Sequence, residues 1–173
     1  MLNKPLFIVV TGPESCGKTT LAEALSHRLS LPLVPEFARM YLNDLGRNYA
    51  ENDLPIIATG QINYEKEASE SATRAVVCDT DVLTIRIWQE FKYGRPSERI
   101  NELMTDRSDR FYLLCAPDLP WQPDPQRENP EDREELFRWH ISLLDRIGAR
   151  YAIISGNGPA RTEAALKVIS SIL

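Results

Sequence analysis

The sequence predicts an α/β domain built on a five-stranded parallel sheet with helices on both faces. Three observations carry this. Five short, almost continuously apolar runs recur along the chain, as strands buried on both faces require. Segments with apolar residues at helical spacing separate them. A glycine-bounded loop, Gly12-Pro13-Glu14-Ser15-Cys16-Gly17-Lys18-Thr19-Thr20, joins the first run to the first helical segment.

The first strand is Leu6 to Thr11, and the first helix runs from Gly17 to Ser30 with Leu21, Leu25 and Leu29 on one face. Leu31 to Pro35 is a short second strand ending at Glu36. A helix from Phe37 to about Leu45 closes at Gly46. Asn52 or Asp53 caps the next, which has Pro55 in its first turn and continues to about Thr73. Ala75 to Asp79 is the third strand, and Asp81 starts a helix that ends at Gly94. Ser97 caps a shorter helix reaching Met104, and Phe111 to Cys115 is the fourth strand. A charged helix spans about Glu131 to Ile147. Tyr151 to Ser155 is the fifth strand, and Gly156-Asn157-Gly158-Pro159 turns into a last helix with Ala164, Val168 and Ile172 on one face.

The loop from Gly12 to Thr20 fits G-x-x-x-x-G-K-[ST], with strand before and helix after, which is the context of a phosphate-binding P-loop. Such a loop wraps a polyphosphate in backbone N–H groups, and the helix behind it points its positive end at the same anion. Gly12 and Gly17 allow the tight turn, while Glu14, Ser15, Cys16 and Thr20 complete the cradle. Lys18 is placed to reach the β- and γ-phosphates of ATP, and the Thr19 hydroxyl to ligate Mg²⁺.

Composition narrows the class. The chain has 173 residues, 43% of them hydrophobic and 26% charged, and reads as one domain over 1–173. A net charge of −5 argues against a broad nucleic-acid footprint but not against a small anion held locally. Three cysteines without paired spacing give neither a disulfide framework nor a zinc site; Cys78 and Cys115 read as reduced core residues. No apolar run approaches the ~18–20 residues that span a bilayer. The first residues lead directly into a strand, so we expect no signal peptide, no membrane association and a cytoplasmic location. Nothing in the pattern fixes the oligomeric state.

Ligands of parallel sheets collect at the carboxyl ends of the strands. Asp79 and Asp81 sit where the third strand stops, and either can hold Mg²⁺; Asp81 equally reads as a helix N-cap. Glu36, across the same mouth, can take a proton from a substrate hydroxyl, bind that hydroxyl or a cation, or sit as a first-turn acid on its helix dipole. Arg39, one turn on, reads as a phosphate contact, a partner of Glu36 or a surface arginine. Between the fourth strand and the charged helix, Ala116 to Pro130 holds five prolines and little apolar material. Loops of this length are commonly functional. We read about 117–134 as a lid that delivers Arg127 and Arg133 to the charge developing in phosphoryl transfer. Trp121 reads as a stacking platform or as a loop anchor, and Asp118 and Asp124 as ribose ligands. His27 and His140 read as structural.

Four segments in order resemble one family. Val9 to Ala22, Val34-Pro35-Glu36-Phe37-Ala38-Arg39-x-Tyr41, Asp79-Thr80-Asp81-Val82-Leu83-Thr84, and Pro117 to Trp121 with Asp124 and Arg127 are similar to the nicotinamide riboside kinase domain of the bacterial NadR regulators. The resemblance runs through nearly the whole chain. It implies a nucleotide-kinase-like P-loop fold and ATP-dependent phosphorylation of the ribose 5′-hydroxyl of nicotinamide riboside to the mononucleotide, in NAD salvage. It also implies that Lys18 and Thr19 hold ATP and Mg²⁺, that Glu36 or Asp79 contacts the acceptor hydroxyl, and that Arg127 and Arg133 belong to the lid. Cys16 replaces the serine expected there, a mild departure because the loop acts through its backbone. The full regulators add a DNA-binding helix-turn-helix and an adenylyltransferase domain, neither of which is read in this chain. The fold also serves kinases of other nucleosides or nucleotides and regulatory ATPases that lack an acceptor.

Overall fold

The computed structural model describes residues 4–173; residues 1–3, which the one-domain reading includes, lie outside them. Five strands, β1 (Leu6–Thr11), β2 (Leu33–Val34), β3 (Ala75–Asp79), β4 (Arg110–Cys115) and β5 (Arg150–Ile154), form one sheet in the order β2-β3-β1-β4-β5. All four pairings are parallel, with Val10 opposite Asp79 and Thr11 opposite Leu114. Among the described residues seven helices surround the sheet: α1 (Lys18–Leu29), α2 (Phe37–Asp44), α3 (Asp53–Ser71), α4 (Val82–Tyr93), α5 (Glu98–Leu103), α6 (Arg133–Arg146) and α7 (Gly158–Ser170).

The strand alternation sorts the core into two layers. Phe7 and Val9 of β1, with Val76 and Cys78 of β3, pack against Leu54 and Ile57 of α3, Val82 and Ile85 of α4, and Leu143 and Leu144 of α6. Ile8 and Val10, with Val77 and Leu113, pack against Leu21 and Leu25 of α1 and Ala165 and Ile169 of α7. Both faces are therefore covered. Cys78 and Cys115 are buried free thiols, as expected. Among the described residues no helix is long and apolar enough to cross a membrane.

Three details differ from expectation. β2 shrinks to two residues because prolines flank it: the Pro32 carbonyl accepts from Val77 N–H at 2.9 Å, but Pro35 has no N–H to give. α6 begins at Arg133, not Glu131. On α7 the buried stripe is Arg161, Ala165 and Ile169, turned from the Ala164-Val168-Ile172 face because backbone carbonyls draw Arg161 inward.

The strand order positions the site. β1 is central, so the loop after it lies between the ends of β3 and β4. Asp79 and the glycine loop are thereby brought side by side.

Candidate active site

The turn after β1 is shaped by contacts as well as by dihedrals. Gly12 has φ +138°, and a Cβ there would sit 2.7 Å from the Cys115 carbonyl oxygen, so a side chain is excluded twice over. Gly17 has φ +76° and forms the N-cap of α1 without any capping side chain. The first-turn N–H groups of α1 are left facing the loop, where an anion would meet them. Lys18 folds back over the loop, its Nζ donating to the Pro13 carbonyl at 2.6 Å. Burial opposes its charge, but nearby negative charge, with Glu36 and Asp79 contributing, outweighs burial and raises its pKa. The Cys16 thiol donates to the same Pro13 carbonyl at 2.9 Å.

At the end of β3 the chain turns through Thr80, a non-glycine residue at φ 64° whose N–H is fixed by the Val10 carbonyl at 2.9 Å. This turn sends the two flanking acids in different directions. Asp79 meets the P-loop: the Thr19 hydroxyl donates to its Oδ2 at 2.7 Å, while its buried Oδ1 has no partner among the described residues. Burial raises the Asp79 pKa, against the hydrogen bond from Thr19 and the charge of Lys18. A hydroxyl and a carboxylate oxygen with a free lone pair, side by side at a phosphate loop, are the hard oxygen donors Mg²⁺ takes. The residues fit the ion.

Asp81 points the other way. It is fully buried, caps α4 by accepting from Leu83 N–H at 2.9 Å, accepts from the Tyr112 hydroxyl at 3.0 Å, and lies 3.5 Å from Arg110. The expectation that Asp81 holds metal is therefore corrected; its oxygens are committed to the core.

A cavity of about 360 Å³ opens over the P-loop. Glu36, at the N-cap of α2, lines it with Arg39. Burial and then the neighbouring Asp79 charge push the Glu36 pKa up, only partly offset by Lys18 and Arg39. The wall beyond Glu36 comes from Ala38 and Leu42 of α2, Thr84, Ile87, Trp88 and Phe91 of α4, and Leu136 and His140 of α6. The opposite wall comes from Gly158, Arg161 and Thr162 of α7.

The proline-rich segment is docked on the P-loop. Ser15 Oγ accepts from Gln122 N–H at 2.8 Å, and the Glu14 carboxylate accepts from Glu128 and Asn129 N–H at 3.1 and 2.8 Å. Arg133 donates to the carbonyls of Ser15 and Leu119, and Arg127 reaches Ser15 Oγ at 3.5 Å. Both arginines thus stand at the loop. Leu119, Pro120, Gln122, Gln126, Arg127 and Asn129 face the cavity.

Three other residues of the segment are engaged by protein groups. The Asp118 carboxylate pairs with Arg161 and accepts from Gly156 N–H at 2.7 Å. Asp124 pairs with Arg39 at 3.0 Å and accepts from Gln126 N–H, and Trp121 lies under the Arg133 guanidinium, 5.8 Å from ring centre to Cζ. These three hold the segment to itself, to α2 and to α7. None of the three is among the residues that line the cavity.

Several residues of the site carried no signal in the sequence. Arg161 donates to the carbonyls of Gly156, Cys16 and Ala116, tying the P-loop to the ends of β4 and β5. Trp88, Phe91 and His140 reach the cavity from helices whose apolar stripes read as core. Thr84 Oγ1, in the first turn of α4, lies 2.8 Å from Thr11 Oγ1.

Sheet order, glycine loop and the hydroxyl–carboxylate pair define a P-loop α/β protein of nucleotide-kinase-like architecture. Within that class the chain belongs to the AAA-domain family, whose model matches residues 7–161. No curated protein matches it in sequence. Among solved structures it is similar to a NadR protein in complex with NR, at TM-score 0.80 and 22% identity, covering 97% of this chain and 51% of that one. It is similar to a NadR protein in complex with NAD and AMP-PNP at TM-score 0.75 and 21% identity, covering 97% and 49%. A third similar structure is the thymidylate kinase of Ehrlichia chaffeensis, at TM-score 0.67 and 15% identity, covering 98% and 99%. The chain thus spans about half the length of the NadR chains it matches.

Proposed function

We propose that the chain is an ATP-dependent phosphotransferase whose acceptor is nicotinamide riboside, phosphorylated on its 5′-hydroxyl. The observation that carries this reading is the convergence of four groups on one cavity: the P-loop backbone, Lys18, Thr19 with its hydroxyl held by Asp79 from behind, and a carboxylate, Glu36, whose pKa is raised. A binding module needs the first three. A carboxylate in the cavity wall with a raised pKa is suited to take a proton from an attacking hydroxyl.

In this reading the α1 N-terminus and the loop N–H groups hold the β- and γ-phosphates, and Lys18 balances their charge. Mg²⁺ held at Thr19 and Asp79 would neutralise charge on the transferring group. Glu36 orients the acceptor hydroxyl and removes its proton as the oxygen attacks, with Asp79 as the nearest alternative base. Arg127 and Arg133, carried on the docked lid, stabilise the equatorial oxygens and exclude water. Trp88 and Phe91 offer aromatic faces to a planar, cationic pyridinium ring. The NR of one NadR complex and the AMP-PNP of another support the choice of acceptor and donor.

Lys18→Ala tests the phosphate-site half of the reading. It should lower kcat/KM by at least about a hundredfold with the fold intact by circular dichroism. Turnover at the wild-type level would reject the assignment.

A further inference from the structure

One buried titratable group in the cavity wall has no part in the reaction above. His140 is 2% exposed and stands on α6 one turn after Leu136. Its Nδ1 lies 2.8 Å from the Leu136 carbonyl oxygen. A carbonyl can only accept, so the proton sits on Nδ1 and Nε2 carries a bare lone pair. Nε2 lies on the side of the ring away from that carbonyl, and His140 is one of the residues that line the cavity. Nε2 has no hydrogen-bond partner among the described residues. Burial, reinforced by the Lys18 charge, holds the pKa down to about 4, so the ring is neutral under ordinary conditions.

An unpartnered buried acceptor is costly unless something fills it. The wall made by α4 and α6 is mostly apolar, with Ile87, Phe91 and Leu136, and its Thr84 hydroxyl is engaged with Thr11 Oγ1 at 2.8 Å. Trp88, the wall residue with an N–H, gives it to Tyr49 at 2.9 Å.

We infer that His140 is a specificity-determining residue of the acceptor site, its Nε2 accepting a hydrogen bond from a neutral N–H or O–H group of the bound acceptor. The inference rests on reading this cavity as the acceptor site. It deepens that reading by defining the chemistry required at the α6 wall: an amide or hydroxyl donor. A carboxylate placed there would oppose two lone pairs with no proton between them. Two groups of a riboside supply such a donor, the carboxamide on the ring and the ribose hydroxyls.

The test is a kinetic comparison of wild type and His140→Phe, which keeps a flat ring and removes the lone pair. A panel of nicotinamide riboside, nicotinic acid riboside, adenosine, uridine and thymidine is used with ATP and Mg²⁺. For whichever nucleoside the wild type turns over best, H140F should raise KM about tenfold while the Kd for ATP stays within about twofold. His140→Gln, which restores an acceptor oxygen, should recover most of the loss. If H140F raises KM for both ribosides alike, the donor is a hydroxyl; if for nicotinamide riboside alone, it is the carboxamide. An unchanged KM, or equal losses toward acceptor and ATP, overturns the inference. A different best nucleoside overturns the nicotinamide assignment but leaves the His140 comparison valid. Should H140F fail to fold, the ¹⁵N resonance of Nε2 in wild type serves instead. It should shift on adding the best-turned-over nucleoside, and a resonance that stays fixed at saturating nucleoside overturns the inference.

Discussion

Glu36 and Asp79 are two acids that the fold holds at a cost. Both have pKa values raised first of all by burial. A carboxylate whose folded pKa lies above its unfolded value stabilises the fold at low pH, and that stability is lost as pH rises through the folded pKa. At neutral pH an ionised Glu36 is therefore destabilising, as a poised base should be. Glu36→Gln should lower kcat by about 10²–10⁴-fold while leaving Tm at or above the wild-type value, measured together by a coupled ADP assay and calorimetry. The acid limb of the wild-type kcat/KM profile should lie above the ordinary carboxylate range, because the base form is the active one. Loss of Tm in step with activity would make Glu36 structural. This scale was only partly legible in the sequence. The acids at the end of β3 stood out by position, but one left-handed residue, Thr80, decides that Asp79 faces the phosphate loop and Asp81 the core. A single backbone dihedral leaves no trace in residue type.

Helix packing beside the site depends on one close approach. A Cβ on Gly60, in the middle of α3, would meet three ring atoms of Phe37 at 2.3 to 2.6 Å. Phe37 is the first residue of α2, next to Glu36, and its N–H donates to Gln61 Oε1 at 2.9 Å. The glycine is thus what lets α2 settle with Glu36 at the cavity mouth. Gly60→Ala gains helix propensity of about 1 kcal/mol but overpacks by about 1–3 kcal/mol. We expect a Tm lower by several degrees and, because α2 is displaced, an acceptor KM raised more than that for ATP. An unchanged Tm and KM would show that the ring moves aside freely. Strands and helices were legible because buried parallel strands are locally apolar and helices locally periodic. The glycine within α3 was not, since its reason lies on another helix.

At the scale of the whole molecule, the strand order brings groups far apart in sequence to one mouth. Residues 12 to 20, Glu36 and Asp79 come from the ends of neighbouring strands, and that convergence follows from parallel topology, so the sequence revealed it. The docking of the proline-rich segment did not follow. Its docking uses backbone N–H groups of residues 122, 128 and 129 on Ser15 and Glu14, and main-chain donors have no residue signature. Nor did Arg161, whose guanidinium ties α7 to the P-loop, or the wall made by Trp88, Phe91 and His140. A helix stripe that lines a cavity and one that fills a core have the same period, and only the assembled fold tells them apart.

The central claim is transfer of a phosphoryl group to a small acceptor. Its most direct test is the mass spectrum of the products when the protein is incubated with ATP, Mg²⁺ and a mixture of nucleosides. We predict that nicotinamide riboside gains one phosphoryl group, far faster than adenosine, uridine or thymidine, with one ADP formed per product. ADP release without any phosphorylated nucleoside, or phosphorylation of the others at an equal or greater rate, would contradict the account.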